Sequence, residues 1–328
     1  MYYLKVIQIF YIILYRLKKR KPPQNKIDYK LRDSFQSWQT SIRKNKSYHN
    51  QSFKFLNEKL TYKKDIWFRG ASTYLWHYNI NYFDFLNSSD NSSYIKDFEK
   101  LIDDWILYNK DYNSISWDPY PTSLRIVNWI KYHNETCSLD KSQIDILYLN
   151  GIHLFNNLEY NLLGNHLFTN AKALIFYGAF FKSRDSNSIL NKGLEIFNDE
   201  FDEQILNDGG HYERSASYNA IIVEDILDVY NLLQSLLIIK DSFNDYQINI
   251  SKKIINQIDK KWASIDRWFR TMLHLDNNYP SFNDGSISAS PKYESIDNYV
   301  KKLRLSKKTY HNHKTKNLYL KDSGFISS

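Results

Sequence analysis

Cysteine occurs once, at Cys137, among 328 residues, so no disulfide can form within the chain and the redox compartment stays open. No apolar run is long enough for a comfortable membrane span. The longest, at residues 6–15, falls short of the roughly 20 residues a spanning helix needs. It precedes the basic stretch Arg16-Leu-Lys-Lys-Arg-Lys21, whereas a secretory signal carries its charge first and a small-residue cleavage site last. No cleavable signal peptide is expected, and a cytoplasmic or membrane-associated location is favoured over a periplasmic one. Three readings of residues 1–21 stay open: an amphipathic helix packed on the body, a membrane-surface helix, or an uncleaved anchor.

Several function classes also lack their signatures. No zinc-finger, RNP or helix-turn-helix pattern stands out, so no nucleic-acid partner is expected. His311 and His313, with a single residue between them, match no recognised ligand spacing. No nucleotide-binding loop or nucleophile elbow occurs. The expectation is therefore no metal and no cofactor. No repeat of fixed period is visible, which argues against a tetratricopeptide-type solenoid.

What is present is a hydrophobic fraction of 42%, a net charge of +8, 27 Tyr and 8 Trp. The chain is long enough for two domains or one large helical one, and its apolar content supports a core. The positive balance suits an anionic partner such as an acidic polysaccharide or anionic lipid. Aromatic faces stack on sugar rings, although an AT-rich genome enriches Tyr by itself.

Apolar spacing predicts helices over residues 75–86, 94–108, 123–132, 142–163, 166–181, 189–206, 215–237, 248–275 and 293–303. Pro119 and Pro121 mark a break and a start. Asn207-Asp-Gly-Gly210 separates two helices. A short helix is expected near residues 34–42, one or two short strands within 52–67, and a strand, turn and second strand at 316–328. Helices joined by short loops give an all-α fold, with paired helices in a curved array or toroid. The expected divisions are a lead-in at 1–70, the helical domain at 71–305 and the start of a β-domain at 306–328.

Two clusters carry the chemistry. The first is Gly164-Asn165-His166 and the second Asp208-Gly-Gly-His211-Tyr212-Glu213-Arg214-Ser215, followed by Tyr218. An amide and an imidazole suit neutralising a carboxylate, while a phenol near a guanidinium suits moving a proton. Arg214, four residues before Tyr218, is expected one turn away on the same helical face. The structural alternatives are that Asn165 caps a helix beginning at His166, that Glu213 and Arg214 form an ion pair holding the turn, and that Tyr212 is the active phenol instead. Trp76, His77, Trp117, Tyr120 and Arg125 read either as cleft residues for sugar rings and anionic groups or as core. Asn283 and Asp284 follow a proline turn and either reach the cleft or cap the next helix.

These motifs, with Trp76-His-Tyr78, Trp117-Asp-Pro-Tyr-Pro-Thr-Ser-Leu-Arg125 and Phe282-Asn-Asp284, resemble the N-terminal α/α-toroid domain of the heparinase II/III-like polysaccharide lyases. The resemblance implies β-elimination on a uronic-acid polysaccharide. It gives Asn165 the substrate carboxylate and Tyr218 the proton; by residue chemistry His166 joins Asn165 and Arg214 tunes the phenol, and His211, Tyr212 and Glu213 are placed among the substrate-binding groups. In the resembled lyases a β-sandwich follows the toroid and supplies a further catalytic histidine and a structural metal site. This sequence carries only what reads as that domain's first strands, so a truncated or split member is expected, with a separate β-sandwich chain as a conceivable partner. Two rival readings are a catalytically incomplete carbohydrate-binding module and a membrane-surface scaffold.

Overall fold

The computed structural model describes residues 4–280, 283, 290–305 and 318–327; Asp284, His311 and His313 lie outside them. The chain divides into two compact units, residues 1–32 with 43–193 and residues 33–42 with 194–328.

The first unit holds helices α1 (Val6–Leu17), α2 (Tyr74–Tyr82), α3 (Ile95–Tyr108), α4 (Pro119–Thr136), α5 (Lys141–Phe155) and α6 (Gly164–Phe180). Helix α3 buries Phe98, Leu101, Ile102 and Trp105, the stripe its spacing predicts. Pro119 opens α4, where a missing N–H costs nothing and φ is already set. A reciprocal capping box between Asp140 and Gln143 starts α5. Helix α4 packs between α2 and α6, and α6 is buried almost throughout. Short strands complete the unit. β1 (Lys30–Leu31) pairs with β5 (Phe181–Lys182), and β2 (Tyr48–His49), β3 (Ser52–Phe55) and β4 (Glu58–Thr61) form an antiparallel sheet. Leu56 and Asn57, both at positive φ, make the tight turn between β3 and β4.

Three expectations need correction here. The helix predicted over 142–163 stops at Phe155. Asn156 and Asn157 turn their side-chain amides back onto the carbonyls of Ile152 (3.0 Å) and His153 (2.7 Å), competing with the backbone ladder. Helix α2 ends at Tyr82 because Phe83 adopts φ 60°, and a 3-10 segment follows. Residues 34–42, expected as a helix, hold only a turn at 34–37.

The core of the first unit is aromatic. Phe83 touches Trp67, Trp105 and Trp129 at centroid distances of 5.4, 6.2 and 5.3 Å. Arg125 is sealed inside it, 0% exposed, with its guanidinium 4.0 Å from the Trp105 ring centroid. Its donors reach Asn150 Oδ1 (3.0 and 2.6 Å), Ser116 O (2.8 Å), Asn81 O (3.4 Å) and Thr122 Oγ1 (3.2 Å).

In the second unit α7 (Arg184–Gln204), which begins in the first, is followed by α8 (Ala216–Ile238), α9 (Asp245–Met272) and α10 (Tyr293–Lys302). Helix α8 packs on α9 and α10. The glycine pair does more than stop a helix. A Cβ on Gly209, at φ +94°, would meet the Ser264 backbone at 2.2 Å, and one on Gly210 would meet Trp268 Nε1 at 2.4 Å. The hairpin of β6 (Leu318–Leu320) and β7 (Phe325–Ser327) is tied to this loop. Ser323 donates from its N–H (2.7 Å) and hydroxyl (2.8 Å) to Asp208, and Trp268 Nε1 donates to Ser323 Oγ (3.0 Å).

Two predictions follow from the buried polar groups. Arg125→Ala leaves several acceptors unpaired around a cavity and should lower unfolding stability by about 3–5 kcal/mol, read by urea denaturation. The second concerns His153 and His211, which burial holds at a pKa of about 4. The unfolded chain takes protons at these sites below about pH 6.5, the folded one only near 4. Stability is therefore complete above about 6.5 and falls as pH drops towards 4, by up to about 3 kcal/mol for each histidine. A urea midpoint unchanged across that window would contradict this.

Candidate functional site

Helix α6 begins at Gly164, with Leu163 at φ 61° as the preceding residue and no side-chain cap. Asn165 therefore does not cap the helix; it sits in the first turn. Its half-buried side chain makes no hydrogen bond among the described residues. His166 follows, also half-buried, with Nδ1 3.0 Å from Glu159 Oε1. Glu159 is itself buried and fixed from behind: Oε2 accepts from Asn170 Nδ2 (3.0 Å), whose other proton goes to Ser123 Oγ (3.0 Å), and Glu159 N–H donates to Asn170 Oδ1 (2.9 Å). A carboxylate at Nδ1 orients the imidazole and leaves Nε2 for a ligand, accepting when the ring is neutral and donating when it is charged.

Tyr120 packs its ring 4.6 Å from His166, and Tyr82 lies 5.8 Å beyond. Tyr74, Tyr78 and Tyr82 recur along α2 with ring separations of 5.1 and 6.3 Å. Asp118 precedes α4 but does not cap it; it accepts instead from Tyr74 (3.0 Å), Tyr78 (2.7 Å) and Arg20 (2.6 Å). Burial, reinforced by Asp118 at Tyr78 and by Tyr120 at Tyr82, pushes both phenols far above their ordinary value. Both hold their protons, and Tyr78 donates its own to Asp118.

The other cleft candidates of this unit belong to the core. Trp76 is fully buried, edge-on to Phe55 at 5.2 Å, and donates to the Glu58 carbonyl. Buried His77 holds the Ile66 carbonyl at 3.2 Å, and burial lowers its pKa. Trp117 is stacked on Tyr112 at 4.0 Å and donates to the Asn109 carbonyl. Arg125 is occupied by five internal contacts. Neither indole face nor the guanidinium is free for a sugar.

In the second unit, His211 is 0% exposed. Its Nδ1 accepts from the Glu213 N–H (3.4 Å), so Nε2 carries the proton donated to Gln204 Oε1 (2.8 Å). This neutral ring is a structural post for the loop. Tyr212 lies edge-on to it at 4.7 Å, and its phenol is pushed up to about 12 by burial and by Glu213, Glu200 and Glu203. Glu213 is half-buried beside them.

Arg214 departs from expectation. It stands at φ 58°, before the N-cap Ser215 of α8, so it shares no helical face with Tyr218. Its carbonyl accepts from Asn283 Nδ2 (2.8 Å); Asn283 thus braces the loop rather than capping a helix. Tyr218 is half-buried in the first turn of α8, with its N–H directed at Ser215 Oγ at 3.5 Å.

Sequence reading missed Glu159, Tyr78, Tyr82 and Asp118. The tyrosine stripe was visible as an i, i+4, i+8 repeat. Asp118 lies inside a quoted motif. Glu159 carried no signal, because it sits in a stretch that reads as helix. Among the described residues no group of three or more His, Cys, Asp or Glu could hold a metal ion.

A family model described as Heparinase II/III N-terminus matches residues 73–308. A heparin-sulfate lyase of Bacteroides stercoris is 25% identical over 141 residues, 43% of this chain and 19% of that protein. The crystal structure of heparinase III aligns with a TM-score of 0.52 at 15% identity, over 92% of this chain and 49% of that one. This chain thus spans about half or less of those relatives. The structural likeness fixes the fold as all-α, of the α/α-toroid type. With most of its length matched by that domain, the chain belongs to the heparinase II/III family.

Proposed function

We propose that the protein acts on a uronate-containing acidic polysaccharide by β-elimination. The base takes the proton at C5, the electron pair forms the C4–C5 double bond, the C4–O bond breaks, and the leaving oxygen receives a proton. The obstacle is the ionised carboxylate on C5, which opposes further negative charge. A preorganised set of donors must lower that cost.

The observation that carries the reading is the start of α6. An Asn165 amide without an internal partner stands beside an imidazole locked by a buried carboxylate, at the positive end of a helix. Asn165 and His166 engage the substrate carboxylate, and Glu159 is the positioning residue behind His166. The family resemblance assigns the proton to Tyr218. Its rival Tyr212 is pushed up to about 12 by burial and by neighbouring carboxylates, so its phenolate is scarce at neutral pH. Tyr120 and Tyr82 offer ring faces next to His166. The carbohydrate-binding alternative has one observation of its own: the tyrosine stripe on α2 supplies ring platforms without any need for turnover.

The test follows unsaturated-uronate absorbance while the purified protein is mixed with a panel of acidic polysaccharides. A rise with one substrate is expected. A flat trace with retained polysaccharide binding would favour the binding module. Tyr218→Phe should cut turnover by at least about 100-fold while leaving affinity largely intact. Glu159→Gln keeps the shape but removes the charge. It should lower kcat by about 10- to 100-fold and change its pH profile with little change in KM or melting temperature. A fall in melting temperature with an unaltered profile would make Glu159 purely structural.

A further inference from the structure

Helix α1 faces the wrong way for a helix that stabilises a fold. It buries none of its residues. Its inner side is half-buried, through Gln8, Ile9, Tyr11, Ile12 and Tyr15. Tyr11 stacks on Tyr160 at 4.8 Å, the Tyr15 hydroxyl donates to the Leu158 carbonyl, and Gln8 Nε2 lies 3.4 and 3.3 Å from the carbonyls of Asn161 and Leu162. Val6, Ile7, Phe10, Ile13, Leu14 and Leu17 all point elsewhere, 38% to 83% exposed. Their spacing is one continuous stripe of a 3.6-residue helix. A helix held by hydrophobic burial would show the opposite arrangement.

At the end of this stripe stand the cations. Lys18 and Arg20 are spent on the body, on the Asn156 carbonyl (2.8 Å) and on Asp118 (2.6 Å). Arg16, Lys19 and Lys21 are exposed. At about 1.5 Å per residue the helix is roughly 18 Å long, against a bilayer core of about 30 Å. No described helix is long and apolar enough to cross a membrane.

We propose that α1 is a membrane-surface helix. Its apolar stripe enters the headgroup boundary of an anionic bilayer while Arg16, Lys19 and Lys21 meet the lipid phosphates. An anionic lipid surface supplies both complements at once. A second copy of this chain supplies the apolar one but brings a like charge of +8. Because α1 sits on the loop that carries Glu159, docking would hold that loop beside the membrane. The proposal does not depend on the lyase reading.

The test is co-sedimentation of the full chain with vesicles of phosphatidylglycerol and phosphatidylcholine, or of phosphatidylcholine alone. The wild type should sediment with the anionic vesicles, and the bound fraction should fall with added salt. The pair Phe10→Gln and Ile13→Gln should lower the bound fraction about ten-fold without changing the melting temperature, since both side chains are exposed. Replacing Arg16, Lys19 and Lys21 by Gln should remove the preference for phosphatidylglycerol. Equal sedimentation of wild type and the Phe10/Ile13 variant would overturn the proposal. So would a concentration-dependent dimer abolished by that variant with no vesicle binding, which would assign the stripe to a second copy.

Discussion

The first unit depends on a buried cation, Arg125, whose hydrogen bonds among the described residues all go to neutral oxygens. Arg125 could not lose its proton to escape burial as a lysine would. Burial instead presses its pKa well downward, and the fold answers with neutral oxygens and aromatic faces. The acceptors come from α2 (Asn81), the turn before α4 (Ser116), α4 itself (Thr122) and α5 (Asn150). One side chain therefore sets the spacing of three helices. Asn81 extends the network by accepting from Trp105 Nε1 at 2.8 Å and donating to the Trp67 and His77 carbonyls. Trp117, an indole that might have bound sugar, lies with its ring 5.4 Å from this guanidinium.

That rigidity reaches the candidate site through α5. Because Asn156 and Asn157 end the helix early, the chain must turn before α6, and the turn delivers Glu159 against His166 and Asn170, seven and eleven residues later. A helix running to residue 163 would have carried Glu159 out of reach. The local competition between amide side chains and backbone thus places the group that orients the imidazole.

Much of the fold was legible because periodicity and punctuation report local energetics. The α3 stripe, Pro119 and the hairpin at the described C-terminal residues emerge where the pattern puts them. What the pattern could not carry was anything decided by a single dihedral or by distant partners. Phe83 and Arg214 adopt positive φ with no glycine to announce it, and the second removed Arg214 from the helical face assumed for it. In sequence Arg125 offers a guanidinium for an anionic group of a ligand, since only the folded core reveals its neutral acceptors. Asn165 and His166 were legible as types. Their arrangement was not, because Glu159 lies in a stretch whose composition favours helix.

Tyrosine number says little about tyrosine chemistry; surroundings decide it. Across both units the same device recurs. A phenol donates to an aspartate, as in Tyr29 to Asp145, Tyr48 to Asp97, Tyr230 to Asp259 and Tyr299 to Asp228. Each pairing satisfies a carboxylate without adding a charge, and burial with the neighbouring anion moves each phenol upward. A chain rich in Asp and Tyr can in this way pack polar helices against one another without burying a cation at each aspartate. The same pairing disqualifies those tyrosines as bases. It follows that a proton-transferring phenol in this fold must be kept away from the carboxylates that organise its neighbours. Tyr78 beside Asp118 and Tyr212 beside Glu213 are raised in this way, so the placement of acids, rather than the number of tyrosines, sets how firmly each phenol holds its proton.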